Sequence, residues 1–310
     1  MPAYHVQRSI VIDAPIETVF ETVADYRTWT SWSPWLCVDP NAEVTVSENS
    51  NAVHSTYQWQ GELVGQGEIE HKTLQHPQLI DDEIRFFKPF RSVSQVRFEF
   101  ASQRQGTEVT WHMDGKLPWF MFWMVSKMDT YIGMDYERGL KMLKDFVETG
   151  KVESKSEVMG VVDREAAQML GVKDSASLAE IGPVMTKAFE KMDQAFTAAD
   201  LPRDGEVLSL YDPVCLEDKR FDFTCGVTVP TSVAAPSSLV ARSIPGGKYL
   251  QIRHTGAYHH MGNAWSGGYQ YARYKKLKLN AKGCSLEVYQ NDPHSTPTQD
   301  LITDVFIPVR

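Results

Sequence analysis

Residues 12–35 read IDAPIETVFETVADYRTWTSWSPW. Asp13 can cap a helix and Pro15 suits a first helical turn, while Val19, Phe20 and Val23 make one apolar stripe. The stripe stops near Ala24. Beyond it, Trp29, Trp32 and Trp35 crowd a segment broken by prolines up to Pro40, which predicts short helical turns and loop. A short helix followed by a knot of tryptophans, early in a chain, asks for a sheet to pack on.

The flanking sequence supplies one. Tyr4–Ile12 alternates apolar and polar residues, as a half-buried strand does. Downstream, strand patterns are expected over 43–46, 53–60, 62–71, 79–87, 92–101 and 107–114, with Gln103–Gly106 a hairpin break. From Trp119 to Val147 the period changes to three and four, through Ile132, Tyr136, Leu140, Leu143 and Phe146, which predicts one long helix.

The run ETGKVESKSE (148–157) is charged and nearly free of apolar residues. It divides the chain into a domain at 1–148, a linker at 149–156 and a second domain at 157–310. A chain of 310 residues is comfortable as two domains. The second domain reads strand (158–162), helix (180–199), strands (206–211 and 221–229), then, after PTSVAAPSS, strand (248–254), helix (258–276) and strands (286–290 and 303–309). Strand, helix, strand, strand occurs twice, suggesting two βαββ units sharing one antiparallel sheet with a ligand groove between them. The fold class is α+β.

Composition narrows the function. The formal charge is −9, which gives no general pull towards phosphate backbones, so no direct nucleic-acid binding is expected. The longest apolar run, Leu117–Val125, is too short to cross a bilayer, and MPAYHVQRSI holds no apolar signal core. A cytoplasmic protein without a membrane partner is expected. Cys37, Cys215, Cys225 and Cys284 form no CxxC and have no zinc-type histidine spacing, so they read as reduced, buried thiols. His254, His259 and His260 do not have ligand spacing on a helix. No metal or cofactor is expected, and no Walker loop, GxGxxG, HExxH or GxSxG occurs.

Ile12–Pro34, with the opening strand and the long closing helix, resembles the START-like, polyketide-cyclase-like (SRPBCC) superfamily. The resemblance implies a helix-grip fold: a curved sheet wrapped on a long C-terminal helix, with a cavity between them. Residues from about 156 onward resemble the gyrase-inhibitor-like small-molecule-binding domain, also the effector module of AraC-type regulators. The segments that carry it are Tyr211-Asp212-Pro213, FDFTCGVTV (221–229), IPGGKYLQIRHTGAYHHMGNAW (244–265), LEVYQNDP (286–293) and the closing TDVFIPV (303–309). Such regulators carry a DNA-binding domain at their N-terminus. Here a START-like domain takes that place.

In its strand, Glu287 faces away from Leu286 and Val288, and a carboxylate flanked by aromatics is costly to desolvate unless it is paired. The resemblance implies that this glutamate lies at the bottom of a groove that meets lipophilic cations by charge and by ring stacking. Tyr289 shares its face. Tyr258 and Trp265, seven apart, share one side of a helix, and Tyr249 and Phe223 are further candidates for the groove. In the first domain, Trp59, Trp111 and Phe86 are candidates to line an apolar pocket with Phe98 and Met128.

Three functions follow. The first is a two-module binder of lipophilic small molecules, cationic ones included, for sensing, sequestration or resistance. The second is a hydrolase that detoxifies a hydrophobic electrophile, with Glu287 as general base and Tyr289 assisting. The third, ranked last because the acidic charge is spread through the chain, is an inhibitor that interacts with DNA gyrase.

Overall fold

The computed structural model describes residues 1–213 and 220–310; Cys215 lies outside the described residues. The chain forms two compact units, Met1–Val152 and Glu153–Arg310. No helix among the described residues is long and apolar enough to cross a membrane.

The first unit is a seven-stranded antiparallel sheet gripping one long helix. Its strands are β1 (Ala3–Ile12), β2 (Glu43–Val46), β3 (Thr56–Gly61), β4 (Gly65–Gln75), β5 (Leu79–Lys88), β6 (Ser92–Gln103) and β7 (Gly106–Lys116), in the order β1-β7-β6-β5-β4-β3-β2. Strand β6 shows why the sheet has an inside. Ser94, Val96, Phe98 and Phe100 are buried, and the residues between them are exposed. Helices α1 (Ile16–Ala24) and α2 (Trp29–Trp32) follow β1. Position 15, a proline, is the N-cap of α1, and no side chain caps it. Asp13 instead donates its backbone N–H to Glu148 Oε1 at 2.6 Å.

The closing helix α3 runs Val125–Thr149 and stops at Gly150, whose left-handed backbone (φ 78°) lets its N–H reach Phe146 O. The expected single helix from Trp119 is interrupted. Trp119–Met124 form a separate 3-10 segment after Pro118, with none of its residues buried, so packing gives it no reason to join α3. Helix α3 docks on the sheet through Trp111, which stacks on Tyr136 (4.0 Å, 12°) on one side and on Phe98 (4.8 Å, 27°) on the other. Gly139 makes this approach possible. A Cβ there would sit 2.8 Å from the Trp111 ring.

The second unit is an eight-stranded antiparallel sheet. It comprises β8 (Ser154–Arg164), β9 (Ala167–Ser177), α4 (Ile181–Ala198), β10 (Val207–Tyr211), β11 (Arg220–Val229), β12 (Val240–Ile244), β13 (Gly247–Gly256), α5 (Gly262–Tyr274), β14 (Ser285–Tyr289) and β15 (Ile302–Pro308). Only residues 150–153 of the expected linker lie between α3 and β8. Two strands, β9 and β12, go beyond the sequence reading, so each repeat is ββαββ. Strand β9 escapes a periodicity test because Met169, Leu170 and Gly171 are consecutively buried. Gly171 pairs with Gly226 on β11, and a Cβ on either would meet the other strand's backbone.

The order β12-β9-β11-β10-β14-β15-β13-β8 reads the same from both ends once β8–β11 are matched with β12–β15. The repeats meet at the β10–β14 pair, and each places its first strand on the far edge, beside the other repeat. Helices α4 and α5 lie on one face; Met169, Leu208, Leu210, Ile244, Tyr249, Leu286, Val288 and Phe306 close the other.

Trp111→Ala removes the ring that joins α3 to the sheet, with an expected cost of about 3–5 kcal/mol. Hydrogen exchange should rise across β1, β6, β7 and α3 and stay unchanged in β10–β15.

Candidate functional site

Cross-strand register builds the site. Cys225 (β11) faces Ser209 (β10), Ser209 faces Glu287 (β14), and Glu287 faces Val305 (β15). This row crosses the seam between the repeats on the helix-covered face. Leu286 and Val288 turn to the opposite core. Glu287 is 5% exposed.

Three neutral donors hold the carboxylate. Trp265 Nε1 of α5 donates to Oε1 at 2.6 Å. The hydroxyls of Tyr211 and Tyr289 donate to Oε2 at 2.8 and 3.0 Å. The two tyrosines are equivalent by the internal repeat, each the last residue of its repeat's central strand. Their packing partners are exchanged in the same way. Phe189 of α4 lies edge-on to Tyr289 of β14 (5.4 Å), and Trp265 of α5 lies edge-on to Tyr211 of β10 (5.5 Å). Tyr258 meets Tyr289 at 5.6 Å, and Tyr269 stacks on Trp265 at 6.3 Å. Exposure rises from buried Glu287 and Tyr211, through half-buried Phe189, Trp265 and Tyr289, to exposed Tyr258 and Tyr269. The site is a cluster of aromatic side chains around a buried acid.

Among the described residues, no cation pairs with Glu287. Burial pushes its carboxyl above the ordinary range, and the three hydrogen bonds pull it back. Burial and the Glu287 charge raise Tyr211 and Tyr289 well above the usual phenol range, keeping both as donors. Burial pushes the Cys225 thiol up to about 12, so it is no ready nucleophile.

Tyr289, Trp265 and Tyr258 of the sequence-nominated residues thus gather around Glu287. Tyr258 sits on a 3-10 turn (Tyr258–His260) ahead of α5 rather than in one continuous helix. Phe223 is buried beside Tyr211, 6.2 Å between rings. Tyr249 is not brought to the site. It packs on Phe306 in the opposite core, and its hydroxyl donates to Pro245 O at 2.8 Å. Sequence reasoning missed Tyr211, Ser209 and Phe189 as site residues. The repeat could have flagged Tyr211 as the counterpart of Tyr289.

In the first unit, Trp59 and Phe86 meet edge-on (5.8 Å) and are half-buried, while Trp111 is buried against α3. The interior carries unpartnered polar atoms, the hydroxyls of Tyr57 and Tyr136 and Trp111 Nε1, while the Tyr26 hydroxyl faces one oxygen of the Asp82 carboxylate. The other Asp82 oxygen lies 2.5 Å from His71 Nδ1, and His71 Nε2 lies 2.9 Å from Ala24 O. Tyr26 stacks flat on His71 at 3.9 Å. Burial raises Tyr26 and Tyr136 well above the usual range, and the Asp82 charge adds to it in both. A separate polar cleft of about 330 Å³, lined by Asp39, Glu43, Glu62 and Lys88 among others, includes none of the nominated aromatics.

Residues 3–148 match the profile of the family described as polyketide cyclase / dehydrase and lipid transport, and residues 159–310 that of the GyrI-like small molecule binding domain. The chain joins a cyclase-like domain to a GyrI-like domain. No curated protein matches it. It is similar to the solved structure of SAV2435 bound to tetraphenylphosphonium (17% identity, 50% of this chain and 94% of that one, TM-score 0.40). It is also similar to an integron cassette protein from the mobile metagenome of Vibrio cholerae (20% identity, 50% and 99%, TM-score 0.37). A third is protein CV1439 from Chromobacterium violaceum (16% identity, 46% and 96%, TM-score 0.36).

In the GyrI-like domain, His254 lies buried on β13. Its Nε2 meets Ser154 Oγ at 3.1 Å and its Nδ1 has no partner. Burial, with His260 and His259 nearby, lowers its pKa from 6.5 to about 4. The unfolded chain therefore takes up a proton that the folded domain refuses. Stability is intact above the unfolded value of 6.5 and falls as pH drops towards 4, by about 3 kcal/mol in all. Urea midpoints of the GyrI-like domain measured from pH 7.5 to 4 should drop across that window, with a flatter slope in His254→Gln.

Proposed function

We propose that this protein binds lipophilic small molecules and that Glu287 makes the GyrI-like site select cations. One observation carries the reading: a buried carboxylate held by three neutral donors, with no protein cation against it among the described residues. A dry, uncompensated charge is costly, and a lipophilic cation entering between the rings removes that cost while its aryl groups stack on them. Both carboxylate oxygens already accept from fixed donors, which favours holding a charge over taking a proton from water.

Titration calorimetry with tetraphenylphosphonium tests this. Glu287→Gln should weaken the cation about thirtyfold or more and leave neutral triphenylphosphine oxide unchanged. In the unaltered protein, cation affinity should fall on acidification, beginning above the ordinary carboxylate range, because protonation erases the charge. Equal affinity of Glu287→Gln for the cation would refute the reading.

For the cyclase-like domain, we propose a guest that is oily but carries acceptor atoms, met by the Tyr57, Tyr136 and Trp111 donors. A hydroxyl without a partner contributes nothing to the ligand-free fold. Tyr136→Phe should therefore leave thermal stability unchanged or raise it by about 1 kcal/mol. Destabilisation would show that the hydroxyl is already bonded.

A further inference from the structure

We propose that one end of the cyclase-like sheet seats on the surface of an anionic lipid bilayer. Two segments leave that end on adjacent strands. Gln95 pairs with Asp114, so the register brings Val93, after the β5–β6 turn, level with Lys116 at the end of β7. The turn presents Phe87, Phe90 and Val93, and the segment after β7 presents Trp119, Phe120, Phe122 and Trp123. Phe90 and these last four are 56–81% exposed. Soluble surfaces rarely gather so many large apolar side chains without a use.

The charge around them has the opposite sign to the chain. Lys88, Arg91, Lys116 and Lys127 flank the aromatics, all exposed, and none has an ion-pair partner among the described residues. Lys127 Nζ lies 5.7 Å from the centre of the Trp123 ring. The acids close by are engaged: Asp114 with His5, and Asp129 with Arg8. Lys88 also borders the cleft that holds Asp39, Glu43 and Glu62, without an ion pair to any of them, while Arg91, Lys116 and Lys127 lie outside that cleft.

Tryptophan and phenylalanine settle at headgroup depth, and lysine and arginine beside them add attraction to anionic lipid. A nine-residue apolar run is too short to span, but it is long enough to lie in the interface. A second copy fits poorly, because a two-fold contact through this surface would set four cations against four.

The test is sedimentation of the full chain with vesicles of phosphatidylcholine and phosphatidylglycerol (1:1), with pure phosphatidylcholine vesicles as comparison. The protein should pellet with the anionic vesicles, with a blue-shifted tryptophan emission, and less with the neutral ones. Trp119→Ser with Phe122→Ser should reduce binding about tenfold, and Lys88→Ala and Arg91→Ala about fivefold each, with unchanged circular dichroism. No pelleting with anionic vesicles, or undiminished pelleting of the serine variant, would overturn the proposal. So would a dimer in sedimentation velocity that the serine variant abolishes, which assigns the surface to a second copy.

Discussion

The GyrI-like domain is organised around a charge that no cation among the described residues neutralises. Three hydrogen bonds from neutral groups keep Glu287 in place, but they do not balance its negative charge. Each donor comes from a different element: Tyr211 from β10, Tyr289 from β14 and Trp265 from α5. Their convergence requires the correct register at the seam between repeats and the correct seating of α5. Slipping β14 by one residue would turn the acid into the Leu208–Phe306 core and bring a leucine or valine to the helix-covered face. The register of the sheet and the placement of the acid therefore rest on the same few contacts.

The cyclase-like domain solves a different packing problem. A long helix must lie across a curved sheet, and flat rings fill the wedge between them. Trp111 is the centre of that filling, with Phe98 and Tyr136 on its two faces and Trp32 and Trp35 at its edges. Behind it, the His71–Asp82 pair and the phenols around it put hydrogen-bonding groups into an otherwise oily interior.

Local pattern revealed much of this. Alternation in Ser92–Gln103 and the three-four period from Ile132 to Phe146 are properties of single elements, so they survive in the letters. Parity alone separates Glu287 from its neighbours Leu286 and Val288. What stayed hidden depends on pairing between distant segments. Strand β9 is buried on both sides at its centre and carries a glycine where β11 comes close, so neither alternation nor propensity marks it. Tyr211 matters only once β10 lies against β14, 76 residues away. Tyr249 shares the strand pattern of a groove residue, yet its strand turns it to the other side. The break at Trp119–Met124 was masked because an apolar run looks like a buried helix whether or not anything covers it.

The crossed edges of the eight-stranded sheet have a consequence for how such a domain can arise and be taken apart. Among the described residues, strand β8 hydrogen-bonds only to β13, and β12 only to β9, so neither repeat owns a complete sheet. A single repeat on its own would expose the backbone that its missing edge should cover, and its stable form would be a pair of chains trading their first strands. Joining two copies in one chain turns that trade into an internal clasp. It also leaves the halves free to differ: the middle position of β14 holds Glu287 where that of β10 holds Ser209.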